Sequence, residues 1–376
     1  MAVIGLHAQG PNAVALDGLT PAQRLDWEHG SRTFRKFYRV EHGLGPVFNE
    51  PSCVVCHGFE AGRSGNRRNT HFGLRTDGRF DPLAALGGSL VQTQGIGPVS
   101  TVDGTHDFVG ETPPPGANVR AVREPQSLQG LGFVDAVPDA AWLAIAEAEL
   151  AADPATAGRV HVVFNVALGA SAVGKFGWKA QVPTLRQFAG DALLNEIGIT
   201  SPGFRDELCP QGNCPALAFN PTPALNDDGA DVAALTDFMT MLAAPRRGAV
   251  TNLEIAGETV FAEIGCPACH RPSIQTGPSP IAALDRVWFR PYSDFLLHDM
   301  GRLGDGIEQG DASGREMRTT PLWGIRSANR FLHDGTASTI TDAILRHDGQ
   351  GQPSRDRFSG LDRRRLDSLL AFLRSL

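Results

Sequence analysis

Two short elements of the sequence place two thiols and an imidazole at a fixed spacing. The first is "SCVVCHG" and the second is "GCPACHR", so the pattern Cys-x-x-Cys-His occurs twice in 376 residues. The residues concerned are Cys53, Cys56, His57, Cys266, Cys269 and His270. Thiols and imidazoles bind metals, and thiols also form disulfides or thioether bonds, so one of these chemistries must explain the repetition.

Cys-x-x-Cys-His is the attachment signal of c-type haem, in which two thiols bond to the haem vinyl groups and the adjoining imidazole binds the iron. A thioredoxin-like pair would need a βαβ context, which the flanking sequence lacks. A four-cysteine zinc site leaves the histidine after each pair unexplained, and a simple disulfide stays open for each pair alone. We therefore expect two covalently bound haem c groups, with His57 and His270 as the proximal iron ligands.

The charge and the distribution of apolar residues argue against two classes of partner. The formal net charge is −7 with a pI of about 5.9, and no cluster of Lys and Arg is dense enough to follow a phosphate backbone. We therefore expect no nucleic acid partner, whereas an acidic face suits a small basic protein. No run of 18 apolar residues is present, so we also expect no membrane span.

The remaining two cysteines bear on the cellular compartment. Cys209 and Cys214 lie in "ELCPQGNCPAL", a loop rich in Pro and Gly in which two thiols can close a small ring. A disulfide between them indicates an oxidising compartment. The first residues, "MAVIGLHAQGPNAVALDG", lack a basic region followed by an apolar run and are not a secretory signal. We expect an exported, periplasmic protein whose signal peptide is absent from this chain.

Helical patterns flank both Cys-x-x-Cys-His elements. "SRTFRKFYRV" precedes the first, with Phe34 and Phe37 one turn apart, and "NDDGADVAALTDFMTMLAAP" follows far downstream, where Asn226 or Asp227 can cap a helix. The apolar stripe of that helix consists of Val232, Leu235, Phe238, Met239 and Leu242. "LEIAGETVFAEIG" precedes the second element, with Ile255, Val260, Phe261 and Ile264 assigned to one face. "LDRRRLDSLLAFLRSL" ends the chain, with Leu361, Leu366, Leu369, Leu370 and Leu373 at near-helical spacing.

Each half of the chain thus predicts an opening helix, a Cys-x-x-Cys-His element, long loops and a closing amphipathic helix, which indicates a diverged internal duplication. We expect a mainly α fold with two cytochrome-c-like haem domains, residues 20–247 and 248–376, joined near "APRRGAVTN". Long ordered loops and little β structure complete the expectation. "RVHVVFNVAL" is the one segment that predicts a strand.

Further segments resemble a known family. They are "RRNTHFG", "FDPLAALGGSLVQ", "KFGWKAQVPTL", "EIGITS", "LLHDMG", "RTTPLWGIR" and "FLHDGTASTITDAILRHDG". These segments are similar to the dihaem oxidoreductase family, a branch of the superfamily that contains bacterial dihaem cytochrome c peroxidases and the enzyme that matures methylamine dehydrogenase. The resemblance extends from about Arg32 to Leu376 and is most specific between Phe295 and Gly349.

The resemblance implies different roles for the two haems. In that superfamily the carboxyl-terminal haem stores or relays an electron, and the amino-terminal haem meets peroxide. The sixth ligand of the carboxyl-terminal haem follows an "HDG" turn and is Met or Tyr in relatives. The matching position here is His347, and Met300 of "LLHDMG" is the alternative. Imidazole in place of Met lowers the potential of a haem, which suits a cytochrome c donor poorly.

Two side chains are expected to take part in the reaction. "KFGWKA" resembles the superfamily's "FWDGRA", whose Trp lies between the haems, so Trp178 is the expected electron relay. "LLNEIG" resembles the segment that carries the distal carboxylic acid, which makes Glu196 the expected acid and base during O–O cleavage.

Three more assignments concern ligands and ions. His71 is the expected distal ligand of the amino-terminal haem, and His298 is expected to support a haem ligand or contact a propionate. The backbone carbonyls of Ala328 and Arg330, in "SANRF", match the position of an inter-haem calcium ion in the superfamily.

We therefore predict an exported dihaem c-type oxidoreductase of peroxidase type. It would reduce hydrogen peroxide, or use it to oxidise a small-molecule substrate, at the amino-terminal haem, with electrons relayed through the carboxyl-terminal haem from a small redox protein. One alternative is a pure electron-transfer cytochrome in which both irons are six-coordinate through His71 and His347. Another is oxidative modification of a protein partner.

Overall fold

The computed structural model describes residues 13–62 and 67–376, so most of the amino-terminal stretch interpreted above lies outside the described residues. Helices account for 36% of the residues in the structure and strands for 17%. The α-helices are α1 Pro21–Phe34, α2 Cys53–His57, α3 Leu131–Asp135, α4 Asp139–Ala152, α5 Leu185–Ala192, α6 Ala230–Thr240, α7 Asn252–Glu263, α8 Ile340–Leu345, α9 Gln352–Ser359 and α10 Arg363–Ser375. A short π-helix, Leu193–Ile197, continues α5.

The strands form small antiparallel sheets. They are β1 Val47–Phe48, β2 Asn69–Thr76, β3 Arg79–Asp81, β4 Gln94–Gly95, β5 Gly97–Thr101, β6 Gly104–Phe108, β7 Val119–Arg123, β8 His161–Asn165, β9 Ala170–Gly174, β10 Ile274–Gln275, β11 Trp288–Phe289, β12 Leu297–Asp299 and β13 Glu316–Arg318. One sheet has three strands in the order β3-β2-β7, and the others are the pairs β1-β4, β5-β6, β8-β9, β10-β11 and β12-β13.

The expectation of little β structure is wrong, although helix still exceeds strand. The strand predicted from "RVHVVFNVAL" is present as β8, but it is one of several. The other strands have five residues or fewer, except β2, which has eight residues with Gly73 near its centre and lacks the alternating apolar pattern that predicts a strand. Some pairs, such as β5 and β6, are local hairpins, whereas Asn69 of β2 pairs with Arg123 of β7, far along the chain.

Helices α1 and α6 enclose the first Cys-x-x-Cys-His element. Thr20 and Gln23 form a capping box at the start of α1, and the carboxylate of Asp227 accepts hydrogen bonds from two amides in the first turn of α6. The predicted stripe of α6 is buried as expected. The two helices cross where Gly30 lies against the carbonyl of Ala234. Helix α1 ends at Phe34, so Phe37 lies beyond it and is largely exposed, contrary to expectation.

Helices α7 and α10 repeat this arrangement around the second element. Thr251 and Glu254 form the capping box of α7, and Gly257 lies against the carbonyl of Ser368 in α10. The leucine stripe of α10 is confirmed. Ile255, however, is 56% exposed, because it lies two residues, or about 200°, from the buried face marked by Gly257.

The apolar side chains form two main cores. The larger contains Phe34, Trp142 and Phe238, and it also takes in Phe289 and Phe295 from the second half of the chain. The smaller lies within residues 260–376. The boundary between residues 247 and 248 therefore stays a prediction, since part of the second half packs into the first core.

Two further expectations concern a disulfide and membrane-spanning helices. Cys209 and Cys214 form a disulfide, as predicted. Across the described ranges, none of the helices has the length and apolarity needed to cross a bilayer.

The close helix contact at Gly257 gives a stability prediction. Gly257→Ala places a methyl group against the Ser368 carbonyl, so we expect it to lower the free energy of unfolding by about 1–3 kcal/mol, measured by denaturant titration. Ala ordinarily stabilises a helix interior relative to Gly by roughly 0.5–1 kcal/mol, so the loss would be specific to the crossing. Gly116→Ala, which adds a methyl group in open space, is the control. An unchanged stability in Gly257→Ala would contradict this packing.

Candidate functional site

Each Cys-x-x-Cys-His element opens on its own cavity. The amino-terminal cavity is about 690 Å³ and is lined by Cys53, Cys56 and His57 among others. The carboxyl-terminal cavity is about 950 Å³ and is lined by Cys266, Cys269 and His270. None of these four cysteines is in a disulfide. Because the pairs line different cavities, they do not converge on a single four-sulfur zinc site.

Both cavities fit a haem by size and by donor set. Their volumes fall within the roughly 300–1,000 Å³ of sites for drug-sized ligands and cofactors. Burial lowers the pKa of His57 and of His270 to about 4, and it also lowers that of His347. The imidazoles are therefore neutral near pH 7, which is the form that binds a metal.

In the carboxyl-terminal cavity, the rings of His270 and His347 lie close to each other, with their planes tilted by 53°. The Nδ1–H of His270 donates to the carbonyl of Tyr292 over 3.0 Å, and that of His347 donates to the carbonyl of Ala343 over 2.9 Å. Since a carbonyl only accepts, both protons are on Nδ1 and both Nε2 lone pairs are available. The two ring centroids are 6.5 Å apart.

That separation matches two imidazoles on one metal ion. Two nitrogens each about 2 Å from a shared ion place the ring centroids roughly 6 Å apart. Met300 lines the same cavity, and its methyl group lies beside His347 near Gly351. His347 has a ring contact with His270, and its assignment as the partner of His270 stays a prediction.

His298 lies behind this cavity and has both ring nitrogens engaged. Its Nε2 is 2.8 Å from Asp294 Oδ2, and its Nδ1 is 3.4 Å from Cys269 Sγ. The side chain is 1% exposed. His298 therefore supports Cys269, the cysteine next to His270, and has no nitrogen left for a propionate.

The amino-terminal cavity lacks an equivalent pair of imidazoles. His71, on β2, lines the cavity, and its buried Nδ1 has no hydrogen-bond partner among the described residues. Burial lowers its pKa to about 3. No ring contact joins His71 to His57 in the described ranges, unlike His270 and His347. Both histidines line this cavity, and His71 as the distal ligand stays a prediction.

Glu196 lies in the same cavity, on the π-helix after α5. Asn49 donates to its Oε2 over 2.9 Å, and Asn69 donates to its Oε1 over 2.5 Å. Burial raises the pKa of Glu196 to about 7, although the two amides oppose this shift. A carboxyl group with this pKa can both hold and release a proton near neutral pH. π-helical turns often occur at functional sites.

Sequence reasoning missed the two asparagines that hold Glu196. Asn49 precedes the first cysteine pair by a few residues, and Asn69 lies within the quoted "RRNTHFG". Asn69 is 127 residues from Glu196, so only the folded chain brings their side chains together.

Trp178 lines both cavities and is 8% exposed. Its indole N–H donates to the carbonyl of Glu124 over 2.9 Å, and His333 contacts the ring edge-on at 6.2 Å. The side chain is therefore fixed in the wall that separates the cavities.

A buried ion cluster that sequence reasoning missed lies beside Trp178. The carboxylate of Asp305 is paired with Lys179 Nζ at 3.1 Å and with Arg123 Nη2 at 2.7 Å. Burial opposes ionisation, yet the two cations hold the pKa of Asp305 below its ordinary value. Burial lowers the pKa of Lys179. Lys179 follows Trp178 directly in "GWKA", and a lysine next to the expected electron relay was the signal in the sequence that could have revealed this cluster.

The segment assigned to calcium has a carboxylate nearby that is already paired. Glu124 Oε1 accepts from Arg68 Nε over 2.8 Å and contacts Arg330 Nη1 at 3.4 Å. In the described part of the chain, the only three metal-binding side chains (His, Cys, Asp or Glu) close enough to share an ion are Cys269, Asp294 and His298. Among the described residues, no such group thus accompanies the carbonyls of Ala328 and Arg330.

The raised pKa of Glu196 predicts a titration near neutrality. We expect an infrared band of a protonated carboxyl group that disappears as the pH rises through about 7 and is absent in Glu196→Gln. Between pH 4.5 and about 7, Glu196 of the folded chain holds a proton that the unfolded chain has lost. The stabilisation that this proton contributes to the fold is therefore lost as the pH rises from 4.5 to about 7. Asp191→Asn is the control, since burial raises the pKa of Asp191 only to about 6. A Glu196 band that titrates near 4 would contradict the assignment.

Comparison with solved structures gives several similar chains. A hydrazine synthase structure from Kuenenia stuttgartiensis is 15% identical with a TM-score of 0.38, covering 100% of this chain and 98% of that one. A MauG-like protein associated with microbial copper homeostasis is 15% identical with a TM-score of 0.43, covering 100% and 95%. The diheme peroxidase BthA of Burkholderia thailandensis is 14% identical with a TM-score of 0.41, covering 98% and 94%.

A search of curated proteins found no match. Residues 118–376 match the family described as "Di-haem oxidoreductase, putative peroxidase". The matched residues include Trp178, Glu196, His270 and His347 and make up more than half of the chain. The chain belongs to this family of dihaem oxidoreductases.

Proposed function

We propose that the protein is a peroxidase-type dihaem c enzyme that reduces hydrogen peroxide, or uses it to oxidise a small molecule, at the amino-terminal cavity. The observation that carries this proposal is the difference between the cavities. The rings of His270 and His347 lie 6.5 Å apart in one, which suits electron storage, whereas His57 shares the other with a carboxyl group of pKa about 7.

The proposed attachment uses both cysteine pairs. The thiols of Cys53 and Cys56 in one cavity, and of Cys266 and Cys269 in the other, would form thioether bonds to haem vinyl groups. Their position on the cavity walls, next to His57 and His270, supports this. A bound haem supplies an iron that binds peroxide and exchanges single electrons.

Glu196 would move the protons of the reaction. Reduction of hydrogen peroxide to two water molecules consumes two electrons and two protons, and one proton must move between the two oxygens before the O–O bond breaks. Glu196 can accept and return this proton, since its pKa lies near neutrality. Asn49 and Asn69 hold one carboxyl oxygen each, so the group keeps a fixed orientation.

Trp178 would carry electrons between the cavities. It is the aromatic side chain that borders both, and its hydrogen bond to Glu124 holds it in place. His347 as the second ligand would give the carboxyl-terminal haem a lower potential than a Met ligand does. The electron donor is therefore proposed to be a small redox protein of matching low potential.

The proposal has three further parts, which concern the cellular compartment, the domain organisation and a calcium site. The disulfide between Cys209 and Cys214 supports a periplasmic location. The repeated helix pairs α1–α6 and α7–α10 support two haem c domains, residues 20–247 and 248–376. Calcium bound to the carbonyls of Ala328 and Arg330 stays a prediction.

A pure electron-transfer role is the second candidate. The unpartnered, buried Nδ1 of His71 in the amino-terminal cavity favours it, because a modest rearrangement would bring a second imidazole to the iron. In that case both irons would be six-coordinate and closed to peroxide.

Electron paramagnetic resonance tests the two ligand assignments. We expect one low-spin and one high-spin ferric haem, and we expect His347→Gly to convert the low-spin signal to high-spin, with added imidazole restoring it. The reason is that Gly removes a ligand without adding another. His298→Gln, which changes a neighbouring imidazole, is the control. Two low-spin haems in the unmodified protein would favour the electron carrier, and an unaffected low-spin signal in His347→Gly would exclude His347.

Reaction with peroxide tests the enzyme directly. Reduced protein mixed with hydrogen peroxide should show fast haem reoxidation by stopped-flow absorption, and Glu196→Gln should slow it by roughly 10²–10⁴-fold. Glu207→Gln is a matched control, because Glu207 lines the same cavity and burial also raises its pKa to about 7. Reoxidation no faster than that of free haem would overturn the proposal.

A further inference from the structure

The chain contains only two tyrosines, and each lies next to one Cys-x-x-Cys-His element. Tyr38 donates its backbone N–H to the carbonyl of Pro51, just before the first element, and packs in the same core as Cys53. Tyr292 offers its carbonyl to the Nδ1–H of His270. Both side chains are buried, at 3% and 1% exposure. Neither phenol group has a role in the function proposed above.

The phenol of Tyr38 is part of a three-residue cluster. Its O–H donates to Asp231 Oδ2 over 2.8 Å, and Lys36 Nζ lies 2.7 Å from the same oxygen. The Lys36 ammonium is also 4.4 Å from the centre of the Tyr38 ring. The carboxylate is 22% exposed, so it reaches the solvent.

The phenol of Tyr292 has the same surroundings, built from other helices. Its O–H donates to Glu258 Oε1 over 2.7 Å, and Arg290 Nη2 lies 3.0 Å from that oxygen. The Arg290 guanidinium is 5.6 Å from the centre of the Tyr292 ring. Glu258 is 32% exposed and also meets Arg247 at 3.6 Å.

The two clusters share one pattern: a cation two residues before the tyrosine lies over its ring and binds the carboxylate that accepts the phenol proton. The carboxylate comes from α6 in one case and from α7 in the other. A cation over the ring disfavours a positive charge on the ring. Loss of an electron from such a phenol must therefore be accompanied by loss of its proton, and the carboxylate is placed to take it.

We propose that Tyr38 and Tyr292 are proton-coupled redox sites that carry oxidising equivalents from each haem cavity toward the surface. The inference rests on the proposed reaction with peroxide, which supplies the oxidant. In each step the tyrosine gives one electron to the oxidised haem and its phenol proton to Asp231 or Glu258, which leaves a neutral tyrosyl radical. A one-electron reductant at the surface returns the electron, and the carboxylate returns the proton.

Aromatic contacts connect the second site to the haem ligand. The Tyr292 ring meets Phe261 at 5.9 Å, and Phe261 meets His270 at 6.5 Å. The carbonyl of Tyr292 also contacts His270 directly. The site thus lies between the proximal ligand and the partly exposed carboxylate of Glu258.

Freeze-quench electron paramagnetic resonance of the holoenzyme after peroxide addition tests the inference. We expect a neutral tyrosyl signal from which Tyr38→Phe and Tyr292→Phe each remove one component. Glu258→Gln should slow formation of the Tyr292 component by roughly 10²-fold, since Gln accepts the hydrogen bond but not the proton. Asp231→Asn should do the same for Tyr38. Glu263→Gln, on the same helix as Glu258 but paired with Arg365, is the matched control.

The outcomes separate this inference from the proposed function. Haem oxidation by peroxide without a tyrosyl signal, or with a signal that both Tyr→Phe variants retain, overturns the inference alone. If peroxide does not oxidise the haems, the proposed function fails, and photogenerated ruthenium(III) tris-bipyridine replaces peroxide as the oxidant. With that oxidant, slower radical formation in Glu258→Gln than in Glu263→Gln supports the inference, and equal rates overturn it. Haem absorption spectra and unfolding midpoints of every variant exclude a folding defect.

Discussion

The hydrogen bonds from His270 and His347 to backbone carbonyls are the constraint on which the carboxyl-terminal cavity depends. Each bond fixes the proton on Nδ1 and leaves Nε2 with its lone pair, and the rings of these two side chains, far apart in sequence, lie 6.5 Å from each other. The carbonyls belong to Tyr292 and to Ala343 of α8, and the smaller core holds both segments against α7 and α10. The helix crossing at Gly257 therefore contributes to the geometry of this histidine pair.

The amino-terminal cavity has a similar helical frame but different walls. Strand β2 brings Asn69 and His71 to the cavity, and the π-helix after α5 brings Glu196. A buried carboxyl group held by two amide donors replaces the second imidazole as the polar feature of the cavity. The two Cys-x-x-Cys-His elements thus lie in similar helical settings, and the segments around the first give its cavity different polar side chains.

The wall between the cavities combines an aromatic ring with buried charges. Removing Lys179, Arg123 and Asp305 from water is costly, and their mutual contacts offset that cost only while all three are present. Lys179 also donates to the carbonyls of Ser313 and Glu316 near β13, while Arg123 belongs to β7. The cluster therefore ties together the segments on either side of Trp178 and helps to hold this ring in place.

The sequence by itself determined the features that depend on neighbours along the chain: the two Cys-x-x-Cys-His elements, the Cys209–Cys214 disulfide, and the buried stripes of α6 and α10. Local spacing is enough for these, because a helical turn or a small ring closes within a few residues. Only the tertiary structure decided what depends on distant segments. It paired β2 with β7 without an alternating apolar pattern, exposed Ile255 and brought Asn69 to Glu196. The physical reason is that a cavity is formed by side chains from many elements, and the pKa of a carboxyl group within it depends on burial, which no short stretch of sequence specifies.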